Sequence, residues 1–114
     1  MRSLNLLVLR CGNIERSKAF YELFGMAFAE HKHGNGPRHY ASEDDSGVFE
    51  LYPLEGGTAD QTGLGFVTGD LDGLHMLLRR NQFAPREVRT TELGRNFVVR
   101  DPDGRRVEVK ARAA

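Results

Sequence analysis

The chain opens with an apolar run over residues 4–11, closed by Gly12-Asn13. It is too short for a typical helix and rich in Leu and Val, which predicts a buried strand. Strand alternation puts Leu6, Val8 and Arg10 on one face and Leu7, Leu9 and Cys11 on the other. Asn13 can cap the helix that follows, although Arg16 stands where a capping box has Glu or Gln. Ile14, Phe20, Leu23 and Phe24 give that helix an apolar face as far as Gly25, a natural residue just past a helix end. Residues 26–30 can form a short strand. Gly34-Asn35-Gly36-Pro37 is a turn. Residues 38–42 and 48–53 then flank Asp44-Asp45-Ser46-Gly47 as a hairpin.

The same order returns. Residues 64–68 predict a strand, and Asp70 or Asp72 can cap a helix carrying Leu71, Leu74, Leu77 and Leu78. Residues 86–90 can be a strand. Residues 97–100 and 105–110 flank Asp101-Pro102-Asp103-Gly104, where Pro presets φ and Gly supplies a positive φ. Strand, helix and three strands thus occur twice, offset by about 58 residues. The expectation is one α+β domain over residues 1–114, with module one at about 1–55 and module two at about 62–112.

Composition narrows the functions. The 114 residues are room for one domain. Sixteen basic and sixteen acidic side chains cancel, so no argument arises for a nucleic-acid partner, a membrane partner or a strongly cationic ligand. Cys11 is the only cysteine, which excludes an intrachain disulfide and makes a reducing compartment the default. The apolar stretch over residues 4–9 is shorter than the roughly 7–15 residues of a signal core or the ~20 of a membrane span. A cytoplasmic protein is expected.

Three segments carry a resemblance. Residues 6–17, LLVLRCGNIERS, with Ala19-Phe20-Tyr21 and Phe24-Gly25-Met26, resemble the first module of bacterial glyoxalase I. Gly65-Phe66-Val67-Thr68-Gly69-Asp70-Leu71-Asp72 resembles the opening of the second module. Asp101-Pro102-Asp103-Gly104, followed by Val107-Glu108-Val109, resembles the last hairpin. In this order, on a duplicated pattern, they identify the chain as a member of the vicinal-oxygen-chelate superfamily of glyoxalases, bleomycin-resistance proteins and extradiol dioxygenases. The resemblance implies two βαβββ modules forming a curved half-barrel sheet. In short members the modules often pair across a homodimer, so the resemblance implies a homodimer, with pairing within one chain as the alternative.

The resemblance also implies a divalent metal, held by His or Gln on the first strands and Glu on the last. The last-strand positions fall on Glu50 and Glu108. The first-strand positions fall on Leu6 and Gly63, which cannot bind metal. Asn5 points to the opposite face. Gln61, two residues before Gly63, could restore one ligand under a shifted alignment. Two carboxylates without a nitrogen ligand suit a transition metal poorly. The expectation is therefore no cofactor; a metal, if bound, would use Glu50, Glu108 and Gln61.

Arg10 shares the inward face with Leu6, so it needs an anionic partner, either Glu50 or Glu108 or a ligand carboxylate or phosphate. In glyoxalase I the matching arginine binds substrate. Tyr52 shares a face with Glu50, Tyr40 can lie across the hairpin, and His39 can stand at the cavity mouth. His31 and His33 read as solvated loop residues, His75 as a surface or rim residue and Cys11 as a core thiol. Phe49, Phe66 and Phe97 read as wall or core. The ligand-binding set is thus Arg10, His39, Glu50, Tyr52 and Glu108. The leading expectation is metal-independent binding of a small organic molecule, of the sequestration or resistance type. The alternatives are a lyase, isomerase or dioxygenase with a non-standard ligand such as Gln61 or His39, and an interaction module with a collapsed cavity.

Overall fold

The structure, a computed structural model, describes residues 1–113. Its contacts divide the chain into two compact units, Met1–Asp60 and Gln61–Ala114. The first contains β1 (Leu6–Cys11), α1 (Ile14–Glu22), β2 (Ala29–His31), β3 (His39–Asp44) and β4 (Gly47–Pro53). The second contains β5 (Leu64–Thr68), α2 (Leu71–Arg80), β6 (Arg89–Thr91), β7 (Gly94–Arg100) and β8 (Arg106–Ala111). Each unit is a four-stranded sheet, ordered β1-β4-β3-β2 and β5-β8-β7-β6. In each, the first strand pairs with the last in parallel and the other neighbours are antiparallel. The predicted α+β fold of two βαβββ modules is therefore the observed one.

In the first unit one sheet face packs on α1. Leu9, Cys11 and Leu51 join Ile14, Ser17, Phe20 and Tyr21 of the helix in a core. Cys11 is buried, and its thiol donates to the Leu9 carbonyl at 3.7 Å, as suits a core thiol. The Asn13 side chain accepts from the backbone N–H groups of Glu15 and Arg16 at 3.0 and 3.1 Å. The cap thus needs no acidic partner at Arg16. Phe24 and Phe49 complete the aromatic cluster, with Phe49 5.0 Å from Tyr21.

In the second unit the core comprises Leu71, Leu74 and Leu78 of α2 against Phe97, Val99, Val107 and Val109. Leu77, expected on the apolar face, is 39% exposed. At i+6 from Leu71 it falls off the stripe that i, i+3 and i+7 define. Other expectations shift at their ends. Leu4 is exposed and β1 starts at Leu6. β2 covers Ala29–His31 instead of 26–30, and β6 covers Arg89–Thr91 instead of 86–90. Both are three-residue strands at a sheet edge. The longer helix, α2, has 10 residues, and no described helix is long and apolar enough to cross a membrane.

Tyr40 lies on the helix-facing side of β3, not on the face that carries Tyr52. The reason is register: Tyr40 is opposite Leu51, one residue out of phase with Tyr52. Its hydroxyl donates to the Glu15 carboxylate at 2.8 Å and accepts from Arg38, which also pairs with Glu15 at 2.7 Å and Glu30 at 2.8 Å. The Tyr40 hydroxyl, and then Arg38, hold the Glu15 carboxyl below its ordinary value. A carboxylate with a lowered folded-state pKa stabilises above the unfolded value, ~4.3, and that contribution is lost as pH falls through the folded value. Melting temperatures measured between about pH 6 and 3 should fall more steeply for the wild type than for Glu15→Gln. Parallel curves would show that the cluster adds no net stability.

Candidate functional site

Each sheet has one face on its helix and one facing away. In the first unit the face away from α1 is read directly from the strand register. Leu6, Val8 and Arg10 of β1 lie opposite Val48, Glu50 and Tyr52 of β4. Glu50 lies opposite Ala41 of β3, which lies opposite Ala29 of β2. Tyr52, one residue beyond Leu51, faces His39, and His39 is paired with His31. Arg10, Tyr52, His39 and His31 thus form one transverse row across all four strands.

The side chains of that row are stacked. The Arg10 guanidinium carbon lies 4.7 Å from the centre of the Tyr52 ring. The Tyr52 and His39 rings are 4.1 Å apart and within 9° of parallel. His31 follows at 5.8 Å from His39, and His33 flanks both, 5.9 Å from His31 and 5.5 Å from His39. Cross-strand neighbours stand close enough for such stacking, and a cation over a tyrosine face is favourable by about 0.5–2 kcal/mol.

His39 opens β3 and is 2% exposed. Expected from the sequence at a cavity mouth, it stands within the stack, between Tyr52 and His31. His31, read as a loop residue, is the last residue of β2. His39 Nδ1 lies 3.2 Å from the Pro37 carbonyl oxygen. Its other ring nitrogen, Nε2, faces Glu50, 3.6 Å away. Glu50 is one row over, beside Val8. Arg10, His39, Glu50 and Tyr52, four of the five predicted binding residues, therefore share one surface. Beside them lie Leu6, 49% exposed, and Val8, 36% exposed.

In the second unit the face away from α2 carries Gly65 and Val67 of β5, Arg106, Glu108 and Lys110 of β8, and Asn96, Val98 and Arg100 of β7. Glu108, the fifth predicted residue, pairs with Arg106 at 2.9 Å. A trough of about 660 Å³ lies over this face, with Gly65, Val67, Leu93 and Val98 among its apolar lining. A Cβ added at Gly65 would meet no atom within 4 Å, so the glycine opens the trough. Gln61 is exposed, in irregular chain ahead of β5. His75 is half-buried, hydrogen-bonded through Nε2 to the Arg86 carbonyl at 2.9 Å and set edge-on to Phe97, so it belongs to the α2 packing.

A divalent metal can be weighed against the donors present. On the open face β1 offers Leu6, Val8 and Arg10, and β5 offers Gly65 and Val67. No strand neighbour of Glu50 or Glu108 on these two strands can donate to a metal. Among the described residues no three His, Cys, Asp or Glu side chains converge to hold an ion. The nitrogen donor beside Glu50 is His39 Nε2, 3.6 Å away across the sheet.

Comparison with known proteins agrees with the fold. The structure resembles the antibiotic binding protein TnmS3 from Streptomyces sp. CB03234, at 19% identity over 99% of this chain and 98% of that one, with a TM-score of 0.79. It resembles the oxidase ChaP-H1 at 20% identity over 99% and 98%, with a TM-score of 0.79. It also resembles lactoylglutathione lyase from Agrobacterium tumefaciens at 17% identity over 96% and 94%, with a TM-score of 0.70. No curated protein matches the sequence. A binder, an oxidase and a lyase thus share this architecture, and it does not select among them. The duplicated modules agree with a family model that matches residues 3–109, and the chain belongs to the glyoxalase/bleomycin resistance protein/dioxygenase superfamily.

Proposed function

We propose that this protein binds a small organic molecule on the open faces of its sheets, without a metal, as a sequestration or resistance protein does. One observation carries the reading. The face of β1 that would supply a metal ligand instead sets apolar Leu6 and Val8 beside the stacked row of Arg10, Tyr52, His39 and His31. Exposed apolar side chains with a few convergent polar groups are the usual lining of an organic ligand site. Arg10 supplies a donor fork, Tyr52 an aromatic body and Glu50 an acceptor. The resemblance to an antibiotic binding protein supports the same class. A homodimer in a reducing, cytoplasmic setting is part of this proposal.

The competing reading is a metal-dependent lyase or oxygenase, and calorimetric titration separates the two. Ni²⁺, Mn²⁺, Zn²⁺ and Fe²⁺ are each expected to give no stoichiometric heat that depends on Glu50. Tight one-to-one binding of any of them, abolished by Glu50→Ala, would overturn the proposal in favour of metal chemistry.

A further inference from the structure

The chain has no net charge, but its charges are not evenly spread. On the open face of the second sheet, Arg89, Arg100, Arg106 and Lys110 stand at strand positions that carry one carboxylate, Glu108. Arg100 lies directly opposite Arg106. Like charges in that position destabilise a strand pair unless something of opposite sign bridges them. Among the described residues Glu108 pairs with Arg106. Arg100 makes one long contact, 3.4 Å to the Gly104 carbonyl. Among the described residues no ion pair reaches Arg86, Arg89 or Arg100.

These arginines line a cleft of about 620 Å³, together with Glu87, Val88 and Val98, so four cations face one carboxylate there. The Arg86 backbone N–H donates to the Val98 carbonyl at 2.8 Å, which fixes this segment against β7. Arg89, Val98 and Arg106 also line the apolar trough over Gly65 and Val67. The two spaces therefore adjoin along one sheet face, with an excess of arginine in the first and apolar Gly65, Phe66, Val67 and Leu93, beside Glu92 and Glu108, in the second.

We infer that the second module binds an amphipathic organic anion, its carboxylate, sulfonate or phosphate head held by Arg86, Arg89, Arg100 and Arg106 and its apolar body over Gly65 and Val67. Guanidinium forks match such oxyanions in pairs, and several converging forks favour a head with two or more oxygens. The bound head would also remove the repulsion between Arg100 and Arg106. The inference rests on the small-molecule reading and adds the ligand's charge and its place.

Two fluorescent probes with the same aromatic body test it: anilinonaphthalene sulfonate, an anion, and phenylnaphthylamine, its uncharged counterpart. The full-length protein should bind the sulfonate at one site per chain and more tightly than the amine. Binding should weaken as salt is raised from about 0.05 to 0.5 M. Arg100→Gln with Arg106→Gln should weaken the sulfonate by about tenfold or more and leave the amine unchanged. The same variant should melt no lower than the wild type, because the like-charge pair is gone. Gly65→Val should weaken both probes while the fold is kept. Equal binding of the two probes, or sulfonate binding that survives the double substitution, overturns the anion inference and leaves small-molecule binding standing. No binding of either probe overturns both.

Discussion

Arg105→Ala is expected to cost about 3–5 kcal/mol of stability and to lower the melting temperature by roughly 10–20 °C. Arg105 is 0% exposed, an unusual state for a guanidinium. It is held by the turn that precedes it. Its Nη1 lies 3.2 Å from Asp101 and 3.4 Å from Asp103. Asp101 also accepts the backbone N–H groups of Asp103 and Arg105, both at 2.9 Å. Pro102 presets the turn and Gly104 closes it at a φ of 88°. Removing the arginine leaves the buried Asp101 carboxylate without its cation, which costs far more than the pair's net worth. Urea unfolding checks the magnitude, and adding Asp101→Asn to Arg105→Ala should recover part of the loss. A shift below about 1 kcal/mol for Arg105→Ala would mean that the site takes up water and the pair is not a structural anchor.

Gly47→Ala should cost about 2–4 kcal/mol through a different cause. Gly47 sits at a φ of 146°, which L side chains rarely adopt. A Cβ there would meet Asn5 backbone carbons at 2.6 and 2.7 Å. The close approach exists because the Val48 N–H donates to the Asn5 carbonyl at 2.8 Å, extending the β1–β4 pairing to its first residue. Relief of the clash must move β1 away from β4, so the substitution should also loosen Leu6 against Val48 at one end of the candidate surface. Amide exchange at Val48, faster in the variant than the change in global stability alone predicts, would locate the damage there. A loss under about 0.5 kcal/mol would show that the hairpin can shift at no cost.

Much of the site was legible in the sequence because it depends on strand parity. Once residues 4–11 read as a strand, Arg10 had to share a face with Leu6 and Val8, and Glu50 with Tyr52. Register decided the rest. Tyr40 and Tyr52 both lie in the first hairpin, yet pairing of Tyr40 with Leu51 sends Tyr40 to the helix side and puts His39 against Tyr52. The histidines were misplaced for a related reason. A three-residue edge strand has too little pattern to announce itself, so His31 read as loop. The arginines of the second sheet are spread from residue 86 to residue 106, and only the pairing of β6, β7 and β8 gathers them.

The sequence by itself determined the duplicated βαβββ order, the helix cap at Asn13, the two faces of β1 and the family. These follow from local chemistry and from a two-residue period. The tertiary structure alone decided that Arg10, Tyr52, His39 and His31 form one stacked row, that Arg105 is buried with Asp101, and that four arginines line one cleft. Each of those depends on which residues of different strands lie opposite one another. Hydrogen-bond register between strands sets that, and no single strand encodes it.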